Sequence, residues 1–166
     1  MWSFGQRDQP KAEDTQPDAE PLRVLSFLPP EDVQALSELP GEAIFGFMAG
    51  EGFSVEHFRP NRVFIDFMHR VIRSVGPQDR SMQADAAQQR QGWLYVIDLR
   101  TPDGSQGRVP PEDIVGAFEV KGGQIIADSY WANDQHRVFT ENGLVRLPPP
   151  LQEALIHAIK GLQSST

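Results

Sequence analysis

Two hydrophobic periods divide this chain, and no all-helical or all-strand fold accommodates both. From about Asn61 to Val75 the residues Val63, Phe64, Phe67, Met68, Val71, Ile72 and Val75 recur at steps of three and four, the spacing of one helix face. From Gly92 the step falls to two. Trp93, Tyr95, Ile97 and Leu99 share one side of an extended strand, and Leu94 and Val96 share the other. A helical stripe followed by a run of strands predicts an α+β fold, a mainly antiparallel sheet packed by two or three helices. Because the Trp93 strand is apolar on both sides, it is expected to be central and covered on both faces.

The remaining elements follow from their punctuation. Leu22 to Leu28 reads as a strand that stops at Pro29-Pro30, where Pro30-Glu31-Asp32 opens a helix with Val33, Leu36 and Leu39 on its apolar side, ended by Pro40-Gly41. Ala43 to Ala49 reads as a buried strand, and Ser81 to Gln91 as a surface helix with only Met82, Ala86 and Ala87 to bury. Thr101-Pro102-Asp103-Gly104 has the composition of a tight turn. Ile114 to Val120 and Gln124 to Tyr130 form a hairpin about Gly122-Gly123, with Val120 facing Ile125, Phe118 facing Ala127 and Val115 facing Tyr130. A second hairpin, Arg137 to Glu141 with Leu144 to Leu147, turns at Asn142-Gly143 and continues the meander. Leu151, Leu155, Ala158, Ile159 and Leu162 mark a last helix that closes one face of the sheet.

The pattern Leu28-Pro-Pro-Glu-Asp-Val33 returns as Val109-Pro-Pro-Glu-Asp-Ile114, 81 residues on. The sequence after each copy differs, helical in one and strand-like in the other, so the match is a reused start signal rather than a duplicated unit.

Composition removes whole classes of chemistry. With no cysteine among 166 residues there are no disulfides, thiolate nucleophiles or cysteine-bound metals. Residues 1–21 read as a disordered acidic tail ahead of a single globular domain, 22–166. Apolar residues are almost absent after Phe4, and Arg7 and Lys11 stand against Asp8, Glu13, Asp14, Asp18 and Glu20. Trp2 and Phe4 at its tip read as incidental aromatics rather than a docking peptide. The first residues lack the basic and apolar regions of a secretion signal, and no apolar run reaches the ~20 residues of a membrane span, so a cytoplasmic location is expected. The net charge of -8 argues against nucleic acid and anionic membranes as partners; it reads first as a means of staying soluble, and a basic protein is the partner it would suit.

Two of the four histidines stand in the stronger constellations. On the helix from Asn61, Arg62, Asp66 and Arg70 form an i,i+4 ladder, with His69 three residues after Asp66. Asp66 orienting His69 would make an acid–base pair, whereas an exposed ladder is worth only a few tenths of a kcal/mol per pair. The second is the connection Tyr130-Trp131-Ala132-Asn133-Asp134-Gln135-His136-Arg137. Its Tyr130, Trp131, Asn133, Asp134, His136 and Arg137 bring aromatic, amide, acidic and basic groups to one loop, the mixture used in recognition. The alternative is a structural connection whose Asn and Asp bond locally. Glu51, Glu56 and His57 around Phe53 and Phe58 offer a weaker grouping. No dinucleotide fingerprint, phosphate loop, nucleophile elbow, His-Glu-x-x-His helix or EF-hand loop occurs, so no cofactor, no metal and no catalytic residue is assigned. The leading expectation is a non-enzymatic protein-binding module of the immunity or adaptor kind. The alternative is a small enzyme or ligand-binding domain with a histidine–carboxylate cleft.

Overall fold

The computed structural model describes residues 22–100 and 109–164. The tail 1–21 and the turn at Thr101–Gly104 lie outside the described residues. Among the described residues, four α-helices and three antiparallel sheets make an α+β fold.

The first sheet has the order β1 (Leu22–Ser26), β2 (Ile44–Ala49), β3 (Phe58–Pro60), with Val24 opposite Phe47 and Phe47 opposite Arg59. Between its first two strands α1 (Pro30–Ala35) begins as expected, on a proline followed by two acids, but ends before Leu36 rather than at Pro40. None of its six residues is fully buried and Val33 is its one contact with the core, so little packing sustains a longer helix, and Pro40 biases the residue before it towards extended backbone. Leu36 and Leu39 reach the core from extended chain instead.

The long helix α2 (Arg62–Val75) buries Phe64, Phe67, Met68, His69 and Ile72. Its cap, Asn61, accepts from the Val63 amide at 3.3 Å and donates to the carbonyls of Gly41 and Ile44, which fastens the helix start to β2. A short 3₁₀ turn, Gly76–Gln78, leads to α3 (Arg80–Gln89), where the Asp79 carboxylate accepts from the Met82 amide at 2.9 Å. Only Met82 and Ala86 of α3 are buried, as its composition predicts.

The second sheet is centred on β5 (Ile114–Lys121), which pairs on one side with β4 (Gly92–Ile97) and on the other with β6 (Gln124–Ile125) and β7 (Trp131–Ala132). This corrects the expectation of a central, doubly covered Trp93 strand: β4 is an edge strand with one covered face. Val96 is buried and Leu94 packs on the core, whereas Trp93 and Tyr95 are 45% and 50% exposed. Trp and Tyr carry polar tips that leave such a face wettable, a distinction that counting them simply as apolar conceals.

The Gly122–Gly123 hairpin keeps the expected Val120–Ile125 pairing and then departs from it. A 3₁₀ turn at Ala127–Ser129 interrupts the strand, and pairing resumes as Ala117 with Trp131 and Gly116 with Ala132. Phe118 therefore meets Tyr130, their ring centroids 4.9 Å apart, rather than Ala127. Ser129 drives the change. Its hydroxyl accepts from the Glu119 amide at 2.8 Å and donates to the Ile126 carbonyl at 2.6 Å, replacing ladder bonds with side-chain bonds.

The third sheet is a two-residue ladder, β8 (Phe139–Thr140) against β9 (Gly143–Leu144), separate from the second sheet rather than part of one meander. Its turn is Glu141-Asn142, one residue earlier than expected, because Gly143, at φ 105°, pairs with Thr140 instead of occupying the loop. Helix α4 (Pro149–Ser164) packs on α2 and buries Leu151, Leu155 and Ile159. These meet Phe27, Phe45, Phe64, Phe118 and Leu147 in one core. The two proline–acid motifs diverge as their continuations require: the first opens α1, the second a 3₁₀ turn (Pro111–Asp113) feeding β5. Among the described residues no helix is long and apolar enough to cross a membrane.

Candidate functional site

Strands β4, β5 and β7 place two different constructions side by side. At the end of β4 the chain buries charge. Asp98 is fully buried, Asp113 is 1% exposed and Arg100 is 8% exposed. The Arg100 guanidinium bonds Asp113 at 3.0 Å, lies 3.4 Å from Asp98, and donates to the carbonyls of Gly143 (3.2 Å), Glu112 (3.1 Å) and Arg137 (2.5 Å). The Asp98 carboxylate accepts from the amides of Arg100 (3.2 Å) and Arg146 (2.9 Å), and its second oxygen accepts from His136 Nε2 at 3.0 Å. The hydrogen of the His136 ring must therefore sit on Nε2. This clamp ties β4, the 111–113 turn, the 136–137 connection and the β8–β9 hairpin together. A buried ion set of this kind is tolerable only when its donors and acceptors are used.

The segment from Tyr130 to Arg137, expected to act as one recognition loop, is divided among different environments. Tyr130 turns inward and bonds His69 Nδ1 at 2.7 Å, with the Arg73 guanidinium over its ring. Trp131 turns outward and is 47% exposed. Asn133 is 6% exposed and works as a structural brace, donating to the carbonyls of Pro111 (2.9 Å) and Ile114 (2.8 Å) and accepting from the Gln135 amide. Asp134 is exposed and lines a polar cleft with Pro111, Glu112, Gln135, His136 and Arg137. Arg137 also borders an apolar cleft of about 220 Å³, formed by Val55, Phe58, Pro60, Ile65, Val138 and Phe139. His136 meets both clefts chiefly through its main chain, since its side chain is 2% exposed.

Asp66 and His69 do not form the orienting pair that their spacing offered. Asp66 bonds Arg62 at 3.2 Å on the exposed side, and Arg70 lies over Phe67. His69 faces the core, where a bulky ring on the apolar stripe is drawn, and takes Tyr130 as its partner. Burial holds its pKa down at about 4, with the electrostatic influence of His136, Arg73 and Arg62 adding to the effect and Asp66 opposing it. Burial likewise pushes the Tyr130 phenol up, against the pull of Arg73. A neutral imidazole against a protonated phenol is a stable buried hydrogen bond. Of the weaker grouping, Glu51, Glu56 and His57 are exposed, and Phe53 lies under Arg23.

The second construction was not marked in the sequence. Trp93, Tyr95 and Trp131 stand on the outer face of the second sheet around Ala117, which pairs with both Tyr95 and Trp131. Ala117 is fully buried, because the three rings lean over it and leave a shallow depression of about 310 Å³. Glu119, opposite Trp93, adds a carboxylate to the same face. Among the described residues no ring or cation packs on the three aromatics, and neither indole N–H nor the Tyr95 hydroxyl has a hydrogen-bond partner. The available signal was the alternation itself, Trp and Tyr on one side of β4 against Leu and Val on the other. No three histidine or acidic side chains among the described residues converge to hold a metal ion. No family model, curated protein or solved structure matches the chain.

Proposed function

We propose that the chain is a non-enzymatic protein-binding module, of the immunity or adaptor kind, that holds a basic protein partner on the sheet face of Trp93, Tyr95 and Trp131. The observation that carries this reading is the cluster of three half-exposed aromatic rings on a hydrogen-bonded sheet. Trp and Tyr are the residue types that most often dominate binding energy at interfaces, and they lose few torsions when a partner arrives. The formal charge of -8 supports a basic partner and disfavours nucleic acid. Affinity capture with the natural chain and with a Trp93→Ala/Trp131→Ala double variant tests the reading at low and high salt. The expected outcome is a partner held by the natural chain, released by the variant and weakened by salt. A partner held equally by both moves the interface elsewhere, and indifference to salt removes the electrostatic part.

A second reading, a small ligand-binding domain or enzyme, is favoured by one observation: the Asp98–His136 pair lies behind an apolar cleft that also carries Arg137. A carboxylate-oriented imidazole is the arrangement of a general base, but the ring meets no solvent in this conformation. Titration of the cleft with phenylacetate, followed at the Ile65 and Val138 methyl groups by NMR, tests it. Saturable shifts support a ligand cleft, and their absence at millimolar concentration ends the reading.

A further inference from the structure

From the same aromatic face we infer the chemistry of the occupant: a proline-rich segment in the polyproline II conformation, with an arginine or lysine beside its prolines. The inference rests on the protein-binding reading and names the kind of chain that face takes. Three features converge on it.

The first is the balance of hydrogen-bonding groups. Two indole N–H groups and one phenol surround Ala117 without partners among the described residues, and the indoles can only donate. Such a surface suits a chain rich in carbonyl groups and poor in N–H donors. Proline has a carbonyl and no N–H, and a polyproline II helix leaves its carbonyls free of internal bonds.

The second is spacing. Tyr95 and Trp131 are each paired with Ala117 on neighbouring strands, so their stems stand two strand spacings apart, about 10 Å. A polyproline II helix repeats every three residues, about 9.3 Å. Prolines at positions i and i+3 of a segment crossing the strands would therefore meet Tyr95 and Trp131 in turn. The depression between the rings is shallow and apolar, as suits pyrrolidine rings lying on it.

The third is charge. Glu119 stands directly across from Trp93 on this face, its carboxylate engaged among the described residues by an exposed Lys121 at 3.6 Å. An exposed pair of this kind is worth little and yields readily to an incoming cation. A basic side chain there gains Glu119 and the face of Trp93 together. Other rings of this chain already carry an internal guanidinium, Arg23 over Phe53, Arg70 over Phe67 and Arg73 over Tyr130, while Trp93, Tyr95 and Trp131 carry none among the described residues.

The test uses the full chain and a synthetic peptide that repeats Pro-x-x-Pro with a flanking arginine. It is read by NMR at the indole N–H signals, with Trp2 as internal reference. Saturable movement of the Trp93 and Trp131 signals, with Trp2 still, is the expected result. Trp131→Ala should weaken binding at least tenfold, and Trp131→Phe less. Tyr95→Phe, which removes only a hydroxyl, should weaken it a few-fold. Glu119→Gln should flatten its salt dependence. Still indole signals at millimolar peptide overturn the inference. So does equal binding of a peptide with alanine for every proline, a stronger response to cellotetraose than to the peptide, or indole shifts that depend on protein concentration alone. If the peptide fails while the double tryptophan variant still loses its captured partner, the protein-binding reading stands and only the occupant is wrong.

Discussion

The clamp around Arg100 and the face around Ala117 are supplied by the same strands, yet they treat polar atoms in opposite ways. In the clamp the charges of Asp98, Arg100 and Asp113 are withdrawn from water and meet hydrogen-bond partners inside the fold. On the face, the indole and phenol donors of Trp93, Trp131 and Tyr95 remain at the surface without any among the described residues. Residues usually suspected of chemistry thus tie segments together here, and residues usually counted as core stand half-exposed at the surface. Satisfaction of hydrogen bonds, more than residue type, separates a structural cluster from a candidate site in this molecule.

Substitutions should divide along that line. The largest effect is expected from Arg100→Met, which leaves two buried carboxylates without their shared cation. Chemical denaturation should show a loss of about 3–5 kcal/mol, and a loss below about 1 kcal/mol would mean that the clamp is not what joins these segments. Next is acid. His69 titrates at about 4 in the folded protein against 6.5 in the unfolded chain, so between these values the unfolded chain binds more protons. Stability is then complete above about pH 6.5 and falls as pH drops towards 4, by about 3 kcal/mol in all. His69→Gln should flatten that part of the stability–pH curve. Gly116→Ala ranks third, because a methyl group there runs into the Tyr130 hydroxyl and the Trp131 carbonyl, and the strain of overpacking is about 1–3 kcal/mol by thermal or chemical unfolding. Smallest is Trp131→Ala, which should cost under about 1 kcal/mol in the same measurement while weakening the proposed peptide binding at least tenfold. A loss as large as that of Arg100→Met would show the face to be structural and erase the contrast.

The long helices were legible in the sequence because their signals are local: the stripes from Val63 to Val75 and from Leu151 to Leu162 lie within the segments they fold. The glycine turn at Gly122–Gly123 was legible for the same reason. The clamp was not, since Asp98, Arg100, Asp113 and His136 are brought together by tertiary folding, and none carries a motif. Asp98 and Arg100 two residues apart at a strand end were the only hint, and charged residues there ordinarily point to solvent. The loop from Tyr130 to Arg137 was noticed as a rich composition, but its division between core, clamp and surface depends on pairing with β5 that spacing alone does not fix. Trp93 and Tyr95 were seen and assigned to the interior, because they were counted as apolar on a strand whose other side is apolar too.

The short turn at Ala127–Ser129 has a consequence for how this surface could arise or vanish. Pairing that continued unbroken from Val120 and Ile125 would set Trp131 against Ile114, whereas the turn displaces it by three positions to Ala117. Three is odd, and an odd displacement exchanges the two sides of a strand. The turn is therefore what sends Tyr130 inward to His69 and Trp131 outward to the aromatic cluster. Insertion or loss of a single codon between Ile126 and Tyr130 would reverse the two, erasing the outer cluster without altering any residue in it. Over evolutionary time the length of one surface turn, more than the identity of the rings, decides whether descendants of this chain keep the face.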